Sequence, residues 1–404
     1  MKIDNSAEIM PNEYVYNTVV RSEPQQGKKI PPLYLTIERD PRPRCSMILG
    51  DGFSQSFLMA QNLQNEIRWS LQNHFPPPES VMYAPVIGDQ FQLSPLWDRP
   101  KWPHLYDHWE RSGQLQGRDF YLSLPKEIIN PHRSIDRLTY DTASIAFELR
   151  CYLWHLFRSH HYVLDSETCR SKIDLGRWEW TRLLMLFLSE FALGVITFNY
   201  DLVTEMVLMR GFNLLICHYE LRDFKQRPAN SIAMYKLHGS ISYYVNTGMR
   251  VFSGKDPNPW LRDNYFGMNE VSRPKLTLDV DMKEFPEFPD LVPPGHYGED
   301  KIAPISHSKS YSKSHINESA LVVFCGLSAD EPDTAEVKEL VDAIDPTATV
   351  IQVGLDCDRD NPLSRLLSSR GTRRHFLLPS ELANSLDLIK DNFRLYNDWS
   401  ALFS

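Results

Sequence analysis

Hydrophobic positions in this chain form short continuous runs separated by segments of amphipathic spacing. A short apolar run bounded by turn residues is typical of a strand buried on both faces of a parallel sheet. The runs predict seven strands, at 45–49, 194–198, 213–217, 232–237, 320–325, 349–353 and 375–378.

Apolar residues three or four positions apart predict helices between these strands. The clearest stretch is 55–73, and further helices are predicted at 141–162, 178–191, 334–344 and 380–389, with another opening at Tyr200-Asp201. Strands that alternate with helices favour an α/β fold. We therefore predict a Rossmann-like, mainly parallel sheet with helices on both faces and large, mostly helical or irregular insertions.

Regions without clear periodicity suggest the domain limits. Residues 1–44 are polar and proline-rich, which predicts an N-terminal arm. Residues 45–390 form the predicted domain, interrupted by insertions at about 76–190 and 245–318, and 391–404 form a C-terminal tail. Within the second insertion, the polar run 307–315 is predicted to be a flexible linker.

Composition excludes several classes of function. The 404 residues carry a formal net charge of −9, which argues against broad nucleic-acid binding, and no sequence-specific DNA or RNA contact is expected. No apolar run reaches the ~18 residues of a membrane span. The N-terminal residues lack the apolar core of a signal peptide, so we expect a cytoplasmic protein that does not enter a membrane.

The spacing of cysteines and histidines along the chain does not predict a metal site. None of the six cysteines forms a C-x-x-C pair, so a structural zinc ribbon is not expected. His155, His160 and His161 lie close together on a predicted helix, and we interpret them as a partly exposed helix end.

Four polar or glycine-containing motifs each follow a predicted strand. In order, they are Gly50-Asp51-Gly52-Phe53-Ser54, Thr197-Phe198-Asn199-Tyr200-Asp201, Leu237-His238-Gly239-Ser240 and Gly326-Leu327-Ser328. Ligands of open α/β sheets bind beyond the carboxyl ends of the strands. The placement therefore predicts that the four motifs share one site.

Gly50 and Gly52 allow the backbone to approach a pyrophosphate, and the following helix is expected to offer free N–H groups. Ser54 adds a hydroxyl donor or caps the helix. Position 55 is glutamine, so the full G-x-G-x-x-G fingerprint is absent, as is a P-loop. A plain strand-to-helix turn stays open as an alternative, and the side chain of Asp51 must point away from any phosphate.

Three side chains suit chemistry on a ribose. Asn199 has both donors and acceptors, with which it can orient a ribose or a water molecule. Asp201 follows it, although both residues can instead cap a helix. His238 has the pKa that suits general-base work on a ribose hydroxyl, although a single histidine can also be structural.

Two further predicted strand ends carry residues that suit a ligand contact. Gly326 and Ser328 suit a second phosphate or ribose contact. Asp356, after the next predicted strand, can accept a hydrogen bond from a ribose hydroxyl or lie exposed in a turn.

The order of these motifs resembles that of the sirtuin-like family. The family carries a Gly-x-Gly-x-Ser loop, a Thr-x-Asn-x-Asp segment, a His-Gly and a Gly-x-Ser, matched here by Gly50, Gly52, Ser54, Thr197, Asn199, Asp201, His238, Gly239, Gly326 and Ser328. The resemblance implies catalytic roles for Asn199, Asp201 and His238. The predicted NAD contacts are Gly50, Gly52, Phe53, Ser54, Thr197, Gly326, Ser328 and Asp356.

Two departures refine the resemblance. The C-x-x-C pairs of deacylating sirtuins are absent, as is their Gly-Ile-Pro-Asp-Phe-Arg stretch. The chain is more similar to zinc-free sirtuin-like proteins of bacterial antiphage defence. That branch implies an NAD glycohydrolase with NAD as substrate, no prosthetic group and no zinc. It also implies control by a homo-oligomer or by a partner such as a HerA-like ATPase.

Two other functions remain open from the sequence. One is a catalytically silent regulatory subunit that binds NAD or ADP-ribose. The other is a protein ADP-ribosyltransferase or deacylase, and the missing zinc ribbon counts against the deacylase.

Overall fold

The computed structural model describes nine segments of the chain. They are 42–67, 103–115, 171–212, 214–218, 231–244, 289–291, 303–329, 333–355 and 360–385, with scattered positions between 119 and 169 and position 357. Residues 1–41 of the predicted arm, most of both insertions and the tail lie outside these residues, so those domain limits stay predictions.

Seven parallel strands form the main sheet. They are β1 (Arg44–Leu49), β2 (Ala192–Thr197), β3 (Leu215–His218), β4 (Ser231–Lys236), β7 (Leu321–Cys325), β8 (Thr349–Val353) and β9 (Thr372–Phe376). Their order is β3-β4-β2-β1-β7-β8-β9. A separate antiparallel pair joins β5 (Gly239–Tyr244) to β6 (Pro289–Leu291). The predicted Rossmann-like α/β sheet is confirmed. Strands β2 and β9 begin two and three residues earlier than predicted, and β3 begins two residues later.

Helices flank the sheet. They are α1 (Asp51–Ala60), α2 (Pro103–Arg111), α3 (Trp180–Glu190), α4 (Val203–Met206), α5 (Ala303–Asn317), α6 (Thr334–Asp342) and α7 (Pro362–Leu367). Helix α1 begins at Asp51, four residues earlier than predicted. Helix α4 begins two residues after Asp201, with Leu202 at the N-cap position. The Asp201 carboxylate accepts a hydrogen bond from the Val203 N–H, the first residue of the helix.

Alternate residues of each strand enter two separate cores. Met47, Leu49 and Val323 pack on one face of the sheet, with side chains of α1 and α3. Ile48 and Phe324 pack on the other face, with side chains of α6 and α7. The predicted placement of helices on both faces is therefore confirmed.

The polar run at 307–315 is not a linker, and that prediction was wrong. It lies within α5, where Ser308, Ser312 and His315 are buried. His315 Nδ1 lies 2.7 Å from Ser46 Oγ in β1, and Ser319 Oγ lies 2.8 Å from the same hydroxyl. Ser46 thus pairs with His315 and Ser319 across the packed interface, and Ser312 Oγ donates to the Lys309 carbonyl within the helix. A hydrophilic sequence therefore forms a helix with one buried face.

Helix α5 also explains a glycine inside a strand. A Cβ added to Gly194 in β2 would lie 2.5 Å from His315 Cε1 and Nε2. The helix can approach the sheet this closely because Gly194 has no side chain. Among the described residues, no helix is long and apolar enough to cross a membrane.

Gly194→Ala should lower the free energy of unfolding by about 1–3 kcal/mol, the usual cost of overpacking a core. In a His315→Ala background the same substitution should cost much less, because the obstructing ring is gone. Urea denaturation of the four proteins in a double-mutant cycle measures this coupling. An equal cost in both backgrounds would contradict the assigned contact.

Candidate functional site

The order of the strands creates a switch point at the centre of the sheet. From β1 the chain proceeds to β2 on one side, and it later returns to β7 on the other side of β1. Such a point opens a crevice at the carboxyl edge of an α/β sheet. The structure places all four sequence motifs at this edge, after β1, β2, β4 and β7.

Two glycine loops touch at the switch point. The Gly52 N–H donates to the Gly326 carbonyl at 3.1 Å, and the Gly50 N–H donates to the Cys325 carbonyl at 3.0 Å. Gly326 has a φ of +56°, and a Cβ there would lie 2.6 Å from the backbone nitrogen of Phe53. The glycines are therefore required for contact between the loops, whatever they bind.

This contact changes one expectation about phosphate binding. The Gly52 N–H is bonded to Gly326, and the Phe53 N–H donates to the Gly50 carbonyl at 3.1 Å. Two of the N–H groups at the start of α1 are thus already used inside the protein, contrary to the expectation of free donors. Gly52 and Ser328 are themselves exposed at this edge, so they remain accessible to a ligand.

Asn199 is the centre of a buried hydrogen-bond chain. Its Nδ2 donates to the Gly50 carbonyl and to Ser54 Oγ, both at 3.0 Å. Ser54 Oγ donates in turn to Asp201 Oδ1 at 3.1 Å. The Asn199 N–H donates to Thr197 Oγ1 at 3.0 Å. The chain fixes the segment after β2 against the first glycine loop.

Several residues that were predicted to contact the ligand therefore already form contacts within the protein. Ser54 and Thr197 are buried and hydrogen-bonded in the Asn199 chain. The ring of Phe53 is buried in edge contacts with Trp178 and Trp180, with centroids 5.0 and 5.2 Å apart. The predicted NAD contacts of these three residues are untested and stay predictions. Asp356 lies outside the described residues.

A fully buried ion pair lies beneath this segment and was missed by sequence reasoning. Lys236 Nζ at the end of β4 lies 2.7 Å from Glu205 Oε1, and both side chains are 0% exposed. The ammonium also donates to the Asp201 carbonyl at 2.5 Å. The available signal was a lysine at the end of an apolar strand, immediately before the Leu-His-Gly motif.

His238 faces a second buried acid that the sequence did not reveal. Its Nε2 lies 2.5 Å from Glu336 Oε2 in α6, and the two side chains are 1% and 4% exposed. Lys309 of α5 forms an ion pair with the other oxygen of the same carboxylate. Phe198 lies edge-on to the imidazole, at 5.1 Å between ring centroids.

These charges set the protonation of the pair. Burial alone would lower the pKa of His238, but Glu336, and more weakly Asp333, raise it above its usual value against the opposing charge of Lys309. Burial alone would raise the pKa of Glu336, yet His238 and Lys309 hold it below its usual value. Each partner thus favours the charged form of the other, imidazolium for His238 and carboxylate for Glu336.

The same residues have the chemistry of metal ligands. One ligand atom each from His238, Asp333 and Glu336 lies within 4.8 Å of the others. However, the ammonium of Lys309 already contacts Glu336, and its positive charge opposes a second cation there. We therefore describe the group as an ion-pair network.

Asp51 is the acid within the first glycine loop. Burial raises its pKa to about 7, and the neighbouring Asp201 carboxylate adds to the rise, while a hydrogen bond from the Gln55 side chain opposes it. Its carboxylate accepts that bond from Gln55, one turn along α1. Asp51 therefore gains much of its negative charge only near neutral pH.

Lys236→Met should lower the free energy of unfolding by roughly 3–5 kcal/mol, because it leaves the Glu205 carboxylate buried without a cation. The double variant Lys236→Met/Glu205→Leu should recover most of that loss. Urea denaturation is the measurement, with Lys338→Met in the exposed Lys338–Asp342 pair as the control, expected within about 0.5 kcal/mol of wild type. Equal losses at the two lysines would refute the assigned burial.

Asp51→Asn should alter how stability depends on pH. Between the ordinary value of 3.8 and about 7, the folded protein keeps a proton on Asp51 that the unfolded chain has lost. The contribution of Asp51 to the free energy of unfolding therefore falls as pH rises through this window. Asp51→Asn should gain stability relative to wild type from pH 4 to 7, and exposed Glu110→Gln serves as control. A pH-independent difference would contradict the raised pKa.

Comparisons with known proteins give limited help. No protein-family model matches the chain, and no curated protein does. Among solved structures, the chain is similar to one concerned with the structural basis for the mechanism and regulation of Sir2 enzymes. Identity is 10% and the TM-score 0.32, over 88% of this chain and 95% of that chain. A likeness at this level carries no argument, so the fold rests on the observed strand order and the site on its residues.

Proposed function

We propose that the protein is an NAD glycohydrolase that cleaves the bond between nicotinamide and ribose and releases ADP-ribose. The observation that carries the proposal is Asn199, held by Gly50 and Ser54 at the switch point of the sheet. This is the place where α/β folds bind dinucleotides. The motif order shared with the sirtuin-like family supports NAD as the substrate.

Asn199 is suited to orient the reacting groups. Both hydrogen bonds recorded for its side chain use Nδ2, and within the described residues none is recorded for Oδ1. That oxygen can accept a hydrogen bond from a ribose hydroxyl or from the attacking water. Because the amide is anchored twice, it needs little reorganisation when a substrate binds.

Asp201 and His238 complete the proposed chemistry. Asp201 holds the segment through Ser54 and the Val203 N–H, and its negative charge favours the positive charge that develops on the ribose. His238 binds a ribose hydroxyl or acts as base on it. The contacts to the pyrophosphate and adenosine are assigned to Gly50, Gly52, Ser54, Gly326 and Ser328. Phe53, Thr197 and Asp356 are proposed as further NAD-binding residues.

Constant hydrolysis of NAD would be toxic to a cell, so the proposed activity needs control. The resemblance to zinc-free defence proteins supports a role in antiphage defence by NAD depletion in the cytoplasm. It also supports control through a homo-oligomer or a partner such as a HerA-like ATPase.

A second candidate is a regulatory subunit that binds NAD or ADP-ribose without cleaving it. The observation that favours it is the pairing of His238 with Glu336, because an imidazolium bound to a carboxylate has no lone pair to accept a proton. Retained NAD binding with no turnover, in the presence of the partner and its trigger, would support this candidate.

Purified protein incubated with NAD should release nicotinamide, and Asn199→Ala and His238→Ala should each reduce the rate at least ~100-fold, the scale expected for a positioned catalytic group. Chromatography of nicotinamide measures the rate. Asn317→Ala, at an exposed position on α5, is the control and should retain wild-type activity. Undiminished turnover in both site variants would overturn the assignment.

A further inference from the structure

Glu336 reaches the histidine of the site from a distant part of the chain. It lies 98 positions along the sequence from His238, in α6. Its Oε2 is 2.5 Å from His238 Nε2, with both side chains nearly inaccessible to solvent. Within the described residues, no other hydrogen bond to the His238 ring is recorded, so this contact decides how the imidazole is held.

We infer that Glu336 is a positioning residue for His238: it accepts the Nε2–H and leaves Nδ1 as the nitrogen available to a ribose hydroxyl. This inference rests on the proposed function, because it assigns the acid partner of the proposed base. Glu336 itself does not contact the substrate.

The chemistry of the two groups supports this arrangement. An ionised carboxylate only accepts hydrogen bonds, so the nitrogen that faces it must carry a hydrogen. When His238 is in its neutral, base form, only one ring nitrogen is protonated, and the lone pair is therefore on Nδ1. A carboxylate in this position orients the ring and stabilises the imidazolium that forms when Nδ1 takes a proton.

The charges around His238 come from two helices. Helix α6 contributes Glu336, and Asp333 just before the helix has an oxygen 3.9 Å from Nε2. Helix α5 contributes Lys309, which shares the Glu336 carboxylate. The two acids raise the pKa of His238, and Lys309 lowers it. Removing Glu336 and removing Lys309 should therefore shift the pKa in opposite directions.

The chain offers a matched control one turn along the same helix. Glu339 pairs with Lys313 of α5 at 2.7 Å, so it joins the same two helices as Glu336 and Lys309. Its side chain is 43% exposed, against 4% for Glu336. Loss of either pair removes one contact between α5 and α6, but only Glu336 touches the histidine.

The direct test is an NMR titration of the histidine imidazoles in isotope-labelled full-length protein, with His238 assigned among the 13 histidines by its loss in His238→Ala. Glu336→Gln should lower the pKa of His238, because the neighbouring negative charge is lost, and Lys309→Met should raise it. Glu339→Gln and Lys313→Met should leave it unchanged. An unchanged pKa in Glu336→Gln would overturn the inference, and so would a wild-type titration altered by EDTA, which would indicate a bound metal.

Steady-state kinetics then distinguish a positioning role of Glu336 in the reaction from a role in protein stability alone. Glu336→Gln should lower kcat for nicotinamide release about 10- to 100-fold with little change in KM, and its acidic limb should move to lower pH. Glu336→Asp, which keeps the charge, should restore part of the rate and provides a second variant if the first folds poorly. A lowered pKa with unchanged kcat would overturn the positioning role.

These experiments distinguish a failure of the Glu336 positioning role from a failure of the proposed NAD hydrolysis. The titration needs no turnover, so it tests the Glu336 contact even if the protein does not hydrolyse NAD. Conversely, turnover that depends on Asn199 and His238 but not on Glu336 would support the hydrolase and refute the positioning role.

Discussion

The contact between two backbone loops at the centre of the sheet organises the rest of the site. The loop after β1 and the loop after β7 meet through the Gly52 N–H and the Gly326 carbonyl, at a separation that leaves no room for a Cβ at Gly50 or Gly326. This contact holds the Gly50 carbonyl, and that carbonyl anchors the amide of Asn199. The placement of the proposed catalytic amide therefore depends on it.

Two buried ion pairs stabilise the arrangement of the site. Lys236 and Glu205 secure the segment that follows β2, while Glu336 holds His238. Such pairs offset a desolvation cost of several kcal/mol per ion only when further hydrogen bonds satisfy them. The bond from Lys236 to the Asp201 carbonyl and the pairing of Lys309 with Glu336 provide part of that support, whereas within the described residues Glu205 Oε2 is buried without a hydrogen bond. These pairs constrain the geometry of the site more than they add stability.

Much of the fold could be predicted from local pattern. Apolar runs located the strands, and Asn199 and His238 were predicted as site residues because each follows such a run. The prediction was wrong at 307–315, where a hydrophilic run forms a buried helix. Its buried His315 pairs through Nδ1 with Ser46 Oγ, 269 positions away along the chain. Sequence spacing does not encode that proximity.

The sequence by itself determined the α/β class, the strands and the polar residues at their ends, because side-chain periodicity and turn chemistry are local properties. Only the tertiary structure decided which of these residues meet. It engaged the Gly52 N–H with Gly326 rather than leaving it free, and it placed Glu336 beside His238. Such pairings depend on the order of strands in the sheet and the packing of helices over its edge, which arise from contacts between distant parts of the chain.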